Sequence, residues 1–356
     1  MGSAECLLTR LGMLKPIIQA PMAGVSTPEM AAAVSNAGGL GSLGIGASTI
    51  VQARQMIEAT RQLTDKPFNV NVFCHAAPQA EPEKEAAWLR HLAPLFEEFG
   101  GEPPAGLNEI YRSFNDDPEM LTLLLELRPA VLSFHFGLPS PHWLTSLRDA
   151  GIVLLATATS LDEARQIEDA GLDGIVVQGI EAGGHRGVFS TSARDERLTT
   201  LVLLRLLSMQ CSLPLIAAGG IMDGQGIASA LAAGAVAAQM GTAFILCPES
   251  AANASYRENL SSVRAGETRL TSVFSGRPAR GMVNRLVRYG EADGSPVPAD
   301  YPLAYDAAKQ LNALAATSGC HEFAAQWAGQ GAALSRALPA ADLVDVLMTE
   351  LNHVQD

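Results

Sequence analysis

The sequence predicts an α/β fold in which parallel strands alternate with helices, and three observations carry that reading. Four times an amphipathic stretch ends in Ala-Gly and runs straight into a short apolar segment: "AAAVSNAGGLGSLG", "LTSLRDAGIVLLA", "ARQIEDAGLDGIVVQ" and "ALAAGAVAAQM". Glycine at positions 38, 151, 171 and 234 suits the left-handed residue that closes a helix, and the apolar run behind it suits a strand covered on both faces. Helix starts are marked as well: Ser26 with Glu29, and Ser160 with Glu163, have capping-box spacing.

Taken in order, these signals place strands near 16–20, 40–44, 68–73, 130–135, 152–156, 174–178, 214–218 and 235–239, with helical patterns between them. Eight such strands predict a (β/α)8 TIM barrel with its active site at the strand C-termini; a doubly wound sheet is the alternative. Two segments exceed what a barrel needs. Residues 74–129 follow the third strand and so emerge on the catalytic face, as an insertion over the active site. The expected organisation is a barrel over 1–248, a substrate-covering segment over 249–306, and C-terminal helices over 307–356 that pack back on the barrel.

Composition narrows the function classes. The chain has 356 residues, 48% of them hydrophobic, enough to bury a large core. A formal net charge of −13 without a basic cluster argues against a nucleic-acid partner and for small molecules. The cysteines at 6, 74, 211, 247 and 320 are odd in number and form no C-x-x-C pair, as in a reduced cytoplasmic protein without disulfide frame or zinc site. No signal-peptide pattern opens the chain. The apolar window 227–247 is long enough for a membrane span, but Gly234, Gln239 and Gly241 divide it better into helix, turn and buried strand, so no membrane partner is expected.

The glycine motifs carry the chemistry. "GLGSLG" at 39–44 has dinucleotide-motif spacing but the wrong context, since it follows a helix and is itself a strand. In barrels the loops after the seventh and eighth strands often hold a phosphate on backbone N–H groups assisted by a helix N-terminus, and Gly219, Gly220, Gly241 and Thr242 are suitably small and placed. Other strand ends add neutral polar groups: "IIQAPMAG", Asn69 and Asn71 in "FNVNVF", and Gln178. A phosphate anchor, amides and close backbone around a flat space resemble a flavin mononucleotide (FMN) site. A sugar phosphate would call for extra Lys and Arg. The stretch "IEAGGHRG", 180–187, sets His185 among glycines at the end of the sixth strand.

On "PIIQAPMAG", "STPEMAAAVSNAGGLG", "GIEAGGHRG" and "AAGGIMDGQGIASALAAGAVAAQMGTAF" the chain resembles the nitronate monooxygenases, formerly 2-nitropropane dioxygenases, over about residues 16–247. The resemblance implies an FMN-dependent oxidation of alkyl nitronates by O2 to a carbonyl compound and nitrite. It implies flavin contacts from Ala20, Pro21, Met22, Ala23, Asn71, Gln178, Gly183, Gly184, Gly219, Gly220, Gln239, Met240, Gly241 and Thr242, with His185 as the catalytic residue above the flavin. In the tail, "YPLAYDAAK" sets Tyr301, Tyr305 and Lys309 on one helical face and resembles the signature of the first class of these enzymes, whose preferred substrate is propionate 3-nitronate. Together with Tyr111, Tyr256 and His135 these residues are expected to bind substrate, Lys309 meeting its carboxylate.

A metal at His185 fails for want of partner ligands, and a phosphate is already provided for elsewhere. The remaining role is on the substrate, as an N–H or imidazolium that holds the nitronate or as a base near neutrality. His75 is a weaker candidate than His135. The alternatives are an NAD(P)H-dependent enoyl or quinone reductase on the same barrel, a non-catalytic flavin-binding protein, and a flavin-free phosphate-sugar isomerase. The chain is expected to act as a monomer or homodimer, with the arginines at 277, 280, 285 and 288 forming either a solvated face or a dimer contact.

Overall fold

A computed structural model describes residues 3–355. Eleven strands are present among them: Ile17–Gln19 (β1), Gly41–Gly44 (β2), Phe68–Phe73 (β3), Val131–His135 (β4), Val153–Ala158 (β5), Gly174–Gln178 (β6), Gly184–His185 (β7), Leu215–Ala218 (β8), Ala237–Met240 (β9), Thr268–Thr271 (β10) and Ala279–Met282 (β11). Eight of them pair in parallel in the order β1-β9-β8-β6-β5-β4-β3-β2. Hydrogen bonds from Gln19 N to Leu40 O and from Leu40 N to Ile17 O, both 3.0 Å, close the two edges on each other. The result is the (β/α)8 barrel, each strand within a few residues of its expected place.

Local chemistry explains the alternation. Gly38, Gly151, Gly171 and Gly234 all have φ between 70° and 113°, the left-handed conformation expected of a residue that ends a helix. Gly41 in the dinucleotide-like motif is required for packing, because a Cβ there would lie 1.9 Å from the carbonyl oxygen of Ala31. The expected cap at Ser26 is shifted by one residue. Thr27 caps the helix Pro28–Asn36 by accepting from Met30 N, while Ser26 Oγ is buried against Gln19 Nε2 and Met22 N. Ser160 does cap its helix, but Glu163 turns back to Thr159 N and Oγ1 rather than to the cap residue.

Two cores result. Inside the barrel Ile18, Leu40, Val131, Leu155, Val176 and Ile216 pack with Leu7 and Leu11 from the N-terminal segment, which plugs one end. Between strands and surrounding helices lies the larger apolar layer, each fully buried Leu, Ile or Phe contributing about 1.5–3 kcal/mol. The eighth helical position is filled by Ala340–Gln355 from the end of the chain, which packs against Pro28–Asn36 and Gly224–Ala232.

A second lobe covers the catalytic end. Helix Pro82–Glu98 from the insertion packs Trp88, Leu92 and Phe96 against Phe274, Leu286, Leu311 and Phe323. The helix Leu303–Ala316 belongs to this cluster and crosses the boundary expected at 307, because its apolar face is continuous through that position. Within 74–129 only the first part is additional, since Pro118–Leu127 packs beside helices Ile50–Leu63 and Pro141–Asp149 as an ordinary barrel helix. A small antiparallel sheet, β10-β11-β7, ties the lobe to the barrel by pairing Ala279 with His185 and Arg280 with Gly184. No helix among the described residues is long and apolar enough to cross a membrane.

The four arginines do not form one face. Arg285 and Arg288 are partly exposed and pair with Glu98 and Glu267, whereas Arg277 and Arg280 are 5% and 6% exposed and point into the protein. Arg277 precedes and Arg280 lies on β11, which is buried throughout, whereas Arg285 and Arg288 lie on the helix Arg285–Gly290 that follows it.

Candidate active site

A cavity of about 770 Å³ opens at the C-terminal ends of the barrel strands, roofed by the second lobe. Every residue singled out as a cofactor or substrate contact lines it. Ala20, Pro21, Met22 and Ala23 come from the loop after β1, Asn71 from β3, His135 from β4 and Gln178 from β6. Gly183, Gly184 and His185 follow β6, Gly219 and Gly220 follow β8, and Gln239 to Thr242 lie on and after β9. Tyr111, Tyr301, Tyr305 and Lys309 descend from the lobe, and Tyr256 comes from the helix Ala254–Leu260 after the barrel. His75 is buried just beyond the wall, its ring edge-on to Tyr301 at 5.0 Å.

His185 is held through its backbone and its ring at once. Its carbonyl accepts from Gln178 Nε2 at 3.0 Å and from His135 Nε2 at 3.1 Å. Gln178 Oε1 accepts from Gly187 N at 2.8 Å, so this amide clamps both sides of the histidine. Arg186, buried and paired with Asp195 at 2.8 Å, donates to Gln178 O and fastens the same turn to β6. Because a carbonyl only accepts, His135 carries its proton on Nε2, and its Nδ1 accepts from Thr157 Oγ1 at 3.1 Å. Both nitrogens of His135 thus serve the protein.

The hydrogen-bond network also assigns the tautomer of His185. Ser275 Oγ donates to the carbonyl of Arg277 (3.2 Å) and accepts from His185 Nε2 (2.8 Å), which leaves Nδ1 as the basic nitrogen. Burial above all, then His135, Arg277 and His75, hold the pKa of His185 well below the usual histidine value. Burial likewise takes His135 down to about 4, and burial with Arg277 takes His75 to about 4. All three imidazoles are neutral at pH 7, so the imidazolium that sequence reasoning allowed at His185 is not the resting state.

Aromatic rings enclose the histidine. Trp327, Tyr301, Phe136 and Tyr305 lie 4.9, 5.3, 5.6 and 6.3 Å from its centroid. The Tyr301 hydroxyl is buried without a hydrogen-bond partner, while that of Tyr256 donates to Trp327 O. Burial pushes the hydroxyls of Tyr256, Tyr301 and Tyr305 up from the ordinary tyrosine range, so they act as neutral donors. Lys309 Nζ sits 4.9 Å from the Tyr111 ring and 5.4 Å from the Tyr305 ring, and among the described residues it is the one lysine or arginine on the cavity wall.

Sequence reasoning missed Trp327, Gly329 and Gly331, which cross the cavity as a strap. Gly329 N donates to Thr242 Oγ1 and Gln330 N to Glu181 O, while a Cβ at Gly183 would lie 2.6 Å from Gly329 N. The run "WAGQG" was a legible signal, a tryptophan among glycines like the stretch around His185.

The walls suit a flavin phosphate bound by backbone rather than side chains. Gly219 and Gly220 have φ of 128° and 72°, and the short turn Thr242–Phe244 has no side-chain cap. The longer helix Gly224–Ala232 is not an anion site: Asp223 accepts from Gly226 N and Glu350 from Gly224 N. Open space lies above Gly184, where a Cβ would meet nothing within 4 Å.

Known proteins resemble this chain over nearly its whole length. A family model described as nitronate monooxygenase matches residues 5–350. A nitronate monooxygenase of Paraburkholderia phytofirmans is 59% identical, covering 98% of this chain and 95% of the relative, and one of Pseudomonas aeruginosa is 58% identical, covering 96% and 97%. The crystal structure of nitroalkane oxidase from Streptomyces ansochromogenes superposes with a TM-score of 0.90 at 42% identity over 98% of this chain and 99% of that one. The chain belongs to the nitronate monooxygenase family, whose members are flavin-dependent oxidoreductases.

Proposed function

We propose that this protein carries FMN and uses O2 to oxidise alkyl nitronates, with propionate 3-nitronate as the preferred substrate, to a carbonyl compound and nitrite. The observation that carries the reading is the cavity itself: a neutral, tightly held His185 at its closed end, and Lys309 as the one lysine or arginine on its wall among the described residues. A reductase acting on NAD(P)H is not favoured by the relatives named above.

The flavin, when bound, supplies the electron transfer, and the chain's own residues do the rest. Backbone N–H groups at 219–220 and 241–242 would hold its phosphate, and Asn71, Gln239 and the loop after β1 would flank it. Asn71 is pre-set for this, because its Nδ2 is fixed by Ser133 Oγ at 2.9 Å. His185 Nδ1 faces a substrate either as acceptor or, once protonated by a neutral nitroalkane, as donor to the resulting nitronate oxygen. Tyr301 offers its unpartnered hydroxyl to the same anion. Lys309 pairs with the carboxylate at the far end of propionate 3-nitronate, its ammonium positioned between two tyrosine faces. The rings of Trp327, Phe136 and Tyr305 exclude water around these contacts.

The test is an absorbance spectrum of the purified protein followed by aerobic titration with propionate 3-nitronate. A flavin spectrum, released FMN on denaturation, and nitrite formed with oxygen uptake are expected. A flavoprotein that releases no nitrite overturns the assignment.

A further inference from the structure

Arg277 is the buried charge that the site as described leaves unexplained. It is 5% exposed, and among the described residues no carboxylate lies within ion-pair distance of it. One Nη donates to Val188 O, and Nε has no partner. The guanidinium lies 4.2 Å from the centroid of the Phe136 ring. Phe136 in turn lines the cavity, 5.6 Å from the rings of both His185 and Tyr301. Its backbone is in the left-handed region (φ 75°), a conformation that a bulky residue adopts only when its surroundings hold it there. The guanidinium and the rings of Phe73, His75, His135, His185 and Tyr301 are those surroundings.

A buried cation without a counter-ion is costly, and a neutral donor would tie down Val188 O as well. The titratable groups at the closed end are His135, His185, Tyr301 and Tyr305, with His75 and Arg277 packed behind its wall; the nearest acids, Asp116 and Glu163, act only at a distance on His75 and Arg277. Neutral donors therefore line the closed end, one cation lies behind its Phe136 wall, and among the described residues no carboxylate pairs with that cation. We propose that Arg277 is a specificity-determining residue: from behind the Phe136 wall its unpaired charge makes the closed end select substrates that arrive as anions. This rests on the nitronate reading above and adds the source of the discrimination. Arg277 works through its field, separately from the ion pair that Lys309 offers at the other end.

The experiment compares the FMN-loaded wild type with Arg277→Gln, Arg277→Lys and Lys309→Met. Acetate and acetamide, equal in shape and different in charge, are used as competitive inhibitors of ethyl nitronate oxidation at pH 8. Wild type is expected to favour acetate by about tenfold or more, a preference kept in Arg277→Lys and Lys309→Met and lost in Arg277→Gln. In the same variant kcat/KM for ethyl nitronate falls by about 10- to 100-fold, carried by KM, while the flavin spectrum is unchanged. Equal inhibition by the two compounds in wild type overturns the proposal even if Arg277→Gln fails to fold. Loss of the preference in Lys309→Met alone, or an equal defect in Arg277→Gln and Arg277→Lys, overturns it as well. Absence of nitrite from wild type would instead count against the nitronate reading.

Discussion

At the scale of single residues, His185 and Lys309 have separable jobs. Replacing His185 with Asn keeps the turn, whose carbonyl still accepts from Gln178 and His135, but removes the basic nitrogen. We expect FMN to stay bound and turnover to fall by about 10²- to 10⁴-fold, the usual contribution of a positioned acid or base. Undiminished nitronate oxidation by this variant would remove His185 from the chemistry. Lys309→Met retains the stem between Tyr111 and Tyr305 and removes only the charge. The Michaelis constant for propionate 3-nitronate is expected to rise by about tenfold or more while that for ethyl nitronate is little changed, as for loss of one partly buried ion pair. Parallel changes for the two substrates would show that Lys309 does not meet the carboxylate. The roles of His135 and Tyr256 were harder to foresee, because their polar atoms are taken up by His185 O, Thr157 and Trp327 O, partners remote in sequence.

Elements show where local reading succeeds and where it slips. The Ala-Gly helix ends and the strands behind them were legible because both depend on residues a few positions apart. The cap at Thr27 was missed by one residue because tertiary contacts draw Ser26 into the Gln19 network instead. The strap 325–331 was missed altogether, since its glycines are explained only by what they press against. Gly329→Ala would drive a Cβ to 2.8 Å from Glu181 O and 3.2 Å from Gly183 N. We expect this change to cost about 1–3 kcal/mol, as for overpacking elsewhere, and to speed FMN release by loosening the turn before His185. Thermal melts and the rate of flavin loss on dilution measure both effects; an unchanged rate would separate the strap from cofactor retention.

The whole molecule carries a pH signature from its buried histidines. His75 and His135, with pKa values near 4 in the folded state and near 6.5 when unfolded, bind fewer protons folded than unfolded in that interval. Both states are neutral above about pH 6.5, so nothing is lost there. As pH falls from 6.5 towards 4 the unfolded chain is favoured, by about 3 kcal/mol per group at pH 4, and His185 adds to this in the same direction. The melting temperature should therefore drop steeply below pH 6, and replacing His75 with Gln should flatten that slope. A melting temperature constant down to pH 4.5 would mean that these imidazoles are not held neutral.

What the sequence determined by itself was the barrel and part of the set of residues that meet in its mouth, the strap 325–331 excepted. Helix ends, strand runs and glycine turns are written in windows of about ten residues, and parallel strands joined by helices leave few ways to pack. Only the tertiary structure decided how those residues are used. Ser275 reaches His185 across 90 positions, Gly329 reaches Thr242 across 87, and the arginines at 277 and 280 turn inward while those at 285 and 288 turn out. Protonation state, hydrogen-bond allegiance and buried charge depend on the groups surrounding an atom in space. No local pattern specifies those neighbours until the second lobe has closed over the barrel.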